Sequence, residues 1–500
     1  MNPPLANELE TVRSRIEDLA RGENLDFHPV IFEMIDYDQM SQIAAYGGFP
    51  TRYPHWRFGM DYERLAKSHR YGLSKIYELV VNTDPVYAYL LTSNSAMDQK
   101  LVMAHVYGHA DFFKNNIWFS HTNRKMMDEA ANHATRIRRH IKTHGLDKVE
   151  TFIDACLSLE DLIDAHSPFI KRRASDNGHD PGEDDVARSS VKKIKSKDYM
   201  DSYVNPKDYL DSQEERLQEE MAKQQRFPVE PEKDVLLFLI EHAPIERWQR
   251  DILSIIREEA YYFAPQAQTK IMNEGWASYW HSKLMTERLL TDPEVVDYAD
   301  HHAGTMSMQP GRLNPYKIGI ELFRDIEARY NQGRFGKEYD ECDDYTKKQS
   351  WDQKLGQGRE KIFQVRQVYN DVTFIDTFLT EEFCREQKLF TFARNDRSGA
   401  DEIQSREFKL IKSKLLTALT NSGKPFLYVQ NGNFGNRGEL CLYHRHDGPE
   451  LQKDYAEETL KNLAYIWGRP VHVETKFDDT PTRLSCEGEK ITEEEIETEI

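Results

Sequence analysis

The chain has 500 residues, 39% hydrophobic and 30% charged, enough for two or three domains and a sizeable core. A net charge of −19 argues against general nucleic-acid binding, which needs a basic face. Five scattered cysteines, Cys156, Cys342, Cys384, Cys441 and Cys486, form no Cys-x-x-Cys pair, so a disulfide framework and a cysteine zinc site are both disfavoured and a reducing cytoplasm is expected. No apolar run approaches the roughly 18 residues of a membrane span, and residues 1–21 lack an apolar signal core.

Helical spacing opens the chain at Leu5 to Arg21. The segment Tyr46 to Gly59 is aromatic and rich in Gly and Pro; it is too apolar for an exposed loop and is expected to pack across the core. A helix is predicted over Asp61 to Leu79, and Pro85 breaks the apolar run Leu79 to Leu91. A buried helix follows from about Asn94 to Asn115, then a polar one from Thr122 to His144. Residues from about 171 to 225 are charged and poor in apolar side chains, and read as a mobile excursion. Two long helices, Trp248 to Phe263 and Gln266 to Leu290, are predicted on either side of Pro265, and another at Tyr316 to Tyr330. The last quarter changes period. Strands at Lys388 to Arg394, Pro425 to Gln430, Glu439 to Arg445 and Pro470 to Phe477, with helices at Arg406 to Leu419 and Asp454 to Trp467, give the β-α-β-β-α-β order of a ferredoxin-like domain. The expected organisation is α+β. A large, mostly helical N-terminal domain spans 1–384, a ferredoxin-like domain 385–480, and an acidic tail 481–500.

The chemistry centres on the buried helix. His105 and His109 are four apart, so they share one helix face, the spacing with which a helix offers two imidazoles to one metal. Gly108 between them thins the helix and lets another element approach. A divalent metal, zinc first, needs a third ligand, and a carboxylate is the usual one beside two histidines. Glu274, flanked by Gly275, Trp276 and Trp280, is preferred over Glu129, which sits in a polar helix. Two core histidines and a Glu274 salt bridge to Arg257 or Arg288 are the structural alternative. In a zinc peptidase the residue after the first histidine is the catalytic glutamate; here it is Val106. Glu129, Glu258 and Glu259 are the carboxylates left to act as base, and His133, His281, His301 and His302 are secondary pocket candidates.

Four stretches together resemble the stage V sporulation protein R family: YPHWRFG at Tyr53 to Gly59, MAHVYGHADFFKNN at Met103 to Asn116, MNEGWASYWH at Met272 to His281, and NPYKIGIELFRDIE at Asn314 to Glu327. The resemblance implies a bacterial or archaeal cytoplasmic protein, linked in spore formers to the spore cortex, a modified peptidoglycan. It also implies association with a serine protein kinase and a von Willebrand factor A-like protein. It implies no settled reaction. The histidine helix and the EGWA segment also resemble gluzincin-type peptidases, in which the corresponding glutamate is the third ligand. Val106 and the long gap from His109 to Glu274 depart from that pattern, and weaken peptidase activity more than metal binding. Three functions stand open: first a degenerate zincin-like metal- or ligand-binding regulatory protein, then a metal-dependent hydrolase or amidase on a cell-wall or peptide-like substrate, and last a structural assembly factor.

Overall fold

A computed structural model describes residues 7–70, 77–170, 206, 227–309, 311–394, 401–447 and 449–497. In chain order the first part carries α1 (Asn7–Gly22), β1 (Val30–Ile35), α2 (Tyr37–Ala45), α3 (Trp56–Arg70), β2 (Glu78–Val81), β3 (Val86–Leu91), α4 (Ala96–Asn115), α5 (Met126–His144) and α6 (Leu146–Ser158). After the charged segment come α7 (Val235–His242), α8 (Arg247–Gln268), α9 (Lys270–Leu284), α10 (Val295–Thr305), α11 (Pro315–Gln332), α12 (Gly358–Val368) and α13 (Asp371–Phe378). The charged segment expected at about 171–225 lies outside the described residues, apart from residue 206. The chain forms two compact units, one of Met1–Val149 with Tyr261–Lys424, the other of Glu150–Ala260 with Pro425–Ile500.

The core of the first unit is built on two helices that are buried nearly all round. Every residue from Leu101 to Phe113 of α4 is buried, and so is every residue from Ile271 to Ser282 of α9. A helix of that kind belongs inside a protein. Ser95 starts α4 with a capping box: its hydroxyl accepts from the Asp98 N–H, and the Asp98 side chain accepts from the Ser95 N–H. Asp371 starts α9 from a distant part of the chain, its two carboxylate oxygens accepting from the N–H groups of Ile271 and Met272 at 2.8 and 2.9 Å.

Glycine sets the helix spacing. A Cβ built on Gly108 of α4 would lie 2.6 Å from the Ala277 Cα of α9. On the other side of α9, Gly275 and Gly319 of α11 meet backbone to backbone, and a Cβ on either would overlap the other helix. The helix thinning read from Gly108 is therefore what the structure has. Asp111 closes the α4–α9 contact from the side: it accepts from Trp276 Nε1 at 2.8 Å and from the Asp26 N–H at 2.8 Å, with Arg366 of α12 3.3 Å away. The aromatic segment after α2 packs inward in part: Phe49 and Tyr53 are fully buried with the Arg52 guanidinium over the Phe49, Tyr53 and Phe58 rings, whereas Trp56 is exposed.

The predicted elements differ from the observed ones in several places. The run around Pro85 is two strands: β2 and β3 pair antiparallel, and β1 joins β3 in parallel, giving a sheet of order β1-β3-β2. Pro265 lies inside α8, and the break falls at Thr269.

The α+β class holds, but the strand order near the C-terminus does not follow the expected β-α-β-β-α-β. Strand β4 (Thr391–Arg394) pairs with β5 (Asp401–Ser405) in a separate two-stranded sheet followed by α14 (Phe408–Leu419). The small domain instead consists of β6 (Phe426–Phe434), β7 (Glu439–Arg445), α15 (Lys453–Trp467), β8 (Val471–Phe477), β9 (Thr480–Glu487) and β10 (Lys490–Glu495), with sheet order β10-β9-β8-β7-β6. Much of the expected acidic tail is thus sheet, because Thr482, Leu484 and Cys486 alternate inward and are buried.

Gly108→Ala is expected to destabilise the protein. The methyl adds helix propensity of about 1 kcal/mol, but overpacking a fixed helix contact costs about 1–3 kcal/mol. Thermal melts should show a lowered midpoint for Gly108→Ala and a larger loss for Gly275→Ala. Gly304→Ala, where a Cβ meets nothing within 4 Å, should leave the midpoint unchanged or slightly raised.

Candidate metal centre

Helices α4 and α9 bring His105, His109 and Glu274 together in the buried interior of the first unit. His105 Nε2 lies 3.4 Å and His109 Nε2 3.5 Å from Glu274 Oε2. These are ion-pair contacts, too long for hydrogen bonds, and Oε2 is buried without a hydrogen-bond partner among the described residues. Lys270, one turn earlier on α9, holds the other oxygen, Oε1, at 2.7 Å. The cation beside Glu274 is thus Lys270. Arg257, considered for that pairing, binds Asp234 instead.

The outer faces of both imidazoles are tied down. His109 Nδ1 donates to Asn273 Oδ1 at 2.9 Å, and His105 Nδ1 lies 2.9 Å from His281 Nδ1. Both Nε2 atoms are thereby turned toward Glu274. Tyr316, at the start of α11, stacks on His105 with ring centroids 6.2 Å apart.

Burial disfavours every charge here, and the pairings decide which survive. The two histidines and Lys270 hold Glu274 ionised, well below the usual carboxylate range, although burial opposes it. Burial and the neighbouring His109 push His105 down to about 4. For His109 the opposing burial is outweighed by Glu274 and Asn273, and its pKa is raised. A second carboxylate also feels the site. Burial lifts Glu78 of β2 to about 7; the Glu274 charge adds to the lift and His109 opposes it. Burial and the charges of Glu274 and Glu78 likewise raise the Tyr316 phenol.

Glu129 and His133 lie on α5 and are not among the donor atoms gathered at His105 and His109. Glu258 and Glu259 fall on the part of α8 that belongs to the other unit. His301 binds Asp98 in the first turn of α4 at 2.9 Å. His302 stacks on Tyr298, with its ring 6.1 Å from that of His281. Sequence reasoning missed Glu78, Lys270, Asn273 and Tyr316. Lys270 and Asn273 had a signal, sitting one turn before and immediately before Glu274. Tyr316 sits in a stretch singled out for its resemblance, but nothing local marks its phenol. Glu78 had none, because only the pairing of β2 carries it to the site.

The donor set is the kind that holds zinc at a catalytic rather than a structural centre: two imidazoles and a carboxylate, with one coordination position left over. For bonds of roughly 2.0–2.2 Å, a tetrahedral centre has donor–donor edges of about 3.4 Å, which the 3.4 and 3.5 Å separations match. Fold and site together define an α+β protein whose helical part buries a His₂Glu cluster between two glycine-packed helices. The chain belongs to the SpoVR family. The family model described as SpoVR like protein matches residues 5–424, and that of the SpoVR-like C-terminal domain matches residues 425–478. It is 30% identical over 512 residues to the uncharacterized protein YcgB of Escherichia coli strain K12, covering 95% of this chain and 93% of that one. No solved structure matches it significantly. Among the described residues, no helix is long and apolar enough to cross a membrane.

The raised His109 gives the cluster a pH signature. Its folded value lies above the ordinary 6.5. In the metal-free protein, the His109–Glu274 pair therefore contributes stability that is full below pH 6.5 and is lost as the pH rises through the folded value. A cation bound by the cluster would compete with that proton. Zinc affinity measured by competition with a chelator should rise with pH across this window and be weakest below pH 6.5. A flat profile would mean that His109 is not a ligand.

Proposed function

We propose that this chain is a zinc-dependent hydrolase acting on an amide bond of a peptide-like or cell-wall substrate. The observation that carries the proposal is the Glu274 carboxylate oxygen, buried, unpartnered, and equidistant from two imidazole nitrogens at the edge length of a zinc tetrahedron. His105, His109 and Glu274 would hold the metal. A bound zinc supplies Lewis acidity, polarising a carbonyl and acidifying water.

The remaining steps belong to the chain's own side chains. Val106 is fully buried and has no group to take a proton. We assign that role to Glu78 of β2, whose charge couples to His109 and Glu274 and whose carboxyl is held near 7, suited to proton transfer at neutral pH. The Tyr316 phenol, kept protonated by burial and two carboxylates, donates a hydrogen bond to the developing oxyanion. Lys270 keeps Glu274 Oε1 occupied, so that Oε2 alone is offered to the metal.

The regulatory reading keeps the metal and drops the reaction, and Val106 is the observation in its favour. On that reading the serine protein kinase and von Willebrand factor A-like protein associated with the family are the natural partners, and the site signals ligand occupancy to them. The spore-cortex link belongs to either version.

Elemental analysis and a quenched-fluorescent peptide library test both together. Wild type should carry about one zinc per chain, and His105→Ala with His109→Ala none. Glu78→Gln should keep the zinc and lose cleavage by about 10²-fold or more, the scale of a general base. Equal metal in wild type and the double variant overturns the zinc centre. A zinc-loaded wild type that cleaves no peptide-like substrate favours the regulatory reading.

A further inference from the structure

The imidazole behind His105 is the least ordinary part of the cluster. Ligand histidines usually donate their second ring N–H to a carboxylate, a backbone carbonyl or water. His109 follows a version of that pattern, with the Asn273 side-chain carbonyl as acceptor. His105 does not: at 2.9 Å its Nδ1 faces the Nδ1 of His281, another imidazole. A single proton lies between two like atoms, and which ring holds it decides what His105 can do. If His281 donates, His105 carries its hydrogen on Nε2, and an N–H points at Glu274 where a lone pair is needed. If His281 accepts, His105 Nε2 presents its lone pair beside that of His109.

Two observations favour His281 as the acceptor. First, His105 Nε2 and Glu274 Oε2 stand 3.4 Å apart, wider than the roughly 2.7–3.2 Å of an N–H···O hydrogen bond. Second, Oε2 is equally far from the second imidazole, so neither nitrogen claims it. The accepting form places a hydrogen on His281 Nε2, and the His302 ring centroid lies 6.1 Å from that of His281. His281 Nε2, Ser278 Oγ and His302 Nδ1 are each buried without a hydrogen-bond partner among the described residues. Ser278 and His281 follow Glu274 at i+4 and i+7, on one face of α9. Buried polar atoms of this kind are commonly satisfied by ordered water.

We infer that His281 is a positioning residue whose Nδ1 accepts the His105 Nδ1 hydrogen, fixing the tautomer in which His105 Nε2 serves as a metal ligand. The inference rests on the zinc centre proposed above. It adds that the centre is built by selecting one tautomer of a histidine pair, and it assigns the neutral His281 ring a task that a carboxylate performs elsewhere. A neutral acceptor leaves His105 a weaker donor than a carboxylate-backed histidine.

Two substitutions isolate the accepting atom. The Asn Oδ1 stands as far from Cβ as the His Nδ1 does, whereas the Gln Oε1 stands where the His Nε2 does. Both are polar and carry similar bulk. Zinc affinity is read by competition with a chromophoric chelator, beside thermal melts of the metal-free proteins. His281→Asn should bind within about threefold of wild type, and His281→Gln about 10–100-fold more weakly, the usual loss when a ligand's outer partner is removed. Equal affinities for His281→Asn and His281→Gln overturn the inference, whether both match wild type or both are weak. Absence of zinc from wild type overturns the metal centre itself, a result visible before either variant is compared.

Discussion

A carboxylate taken out of water needs a compensating charge, and the interior of this protein is arranged around that requirement at Glu274. Helix α9 is buried along nearly its whole length, and Glu274 lies in it one turn after the exposed Lys270. Lys270 answers one oxygen, and two imidazoles face the other without bonding to it. Glu274 and Asn273 in turn raise the His109 pKa against the pull of burial. A divalent cation in that place would satisfy three donors at once, and the donor spacing is compatible with a tetrahedral coordination sphere.

That balance depends on helix packing a long way from the charges. The histidines reach Glu274 because α4 and α9 approach at Gly108 and Ala277, closer than any side chain would allow. Gly275 and Gly319 press α11 against the opposite side of α9, which brings Tyr316 over His105. Asp371 and Asp111 then fix α9 along its axis, one by capping its N-terminus and the other by gripping Trp276. Neither aspartate faces the cluster donors, yet each sets where Glu274 lies. Rigid supports of this kind would hold metal donors in place whether or not a metal is bound.

The sequence made some of this legible and hid the rest for physical reasons. Two histidines one helical turn apart in an apolar run are visible locally, and so is the glycine between them. Glu274 was legible because an acidic residue among tryptophans and glycine has no ordinary surface role. Glu78 was not, since strand pairing brings it in and β2 is four residues long. The His281 contact joins residues 176 apart in sequence, and spacing alone made His281 one of several secondary candidates. The small domain was misread where strand propensity was right but pairing was not: Thr391–Arg394 is a strand, yet its partner is the next hairpin arm, Asp401–Ser405. The terminal strands were hidden by their charge, because glutamates on the outward face of β10 look like a solvated tail.

The central claim is that one metal ion is held by two imidazole nitrogens and one carboxylate oxygen. X-ray absorption at the zinc edge of the purified protein tests it most directly. Two His105/His109-type imidazole scattering patterns with nitrogen and oxygen neighbours at roughly 2.0–2.2 Å are the predicted result. A spectrum dominated by sulfur neighbours at roughly 2.3 Å, or one without imidazole scattering, would contradict it.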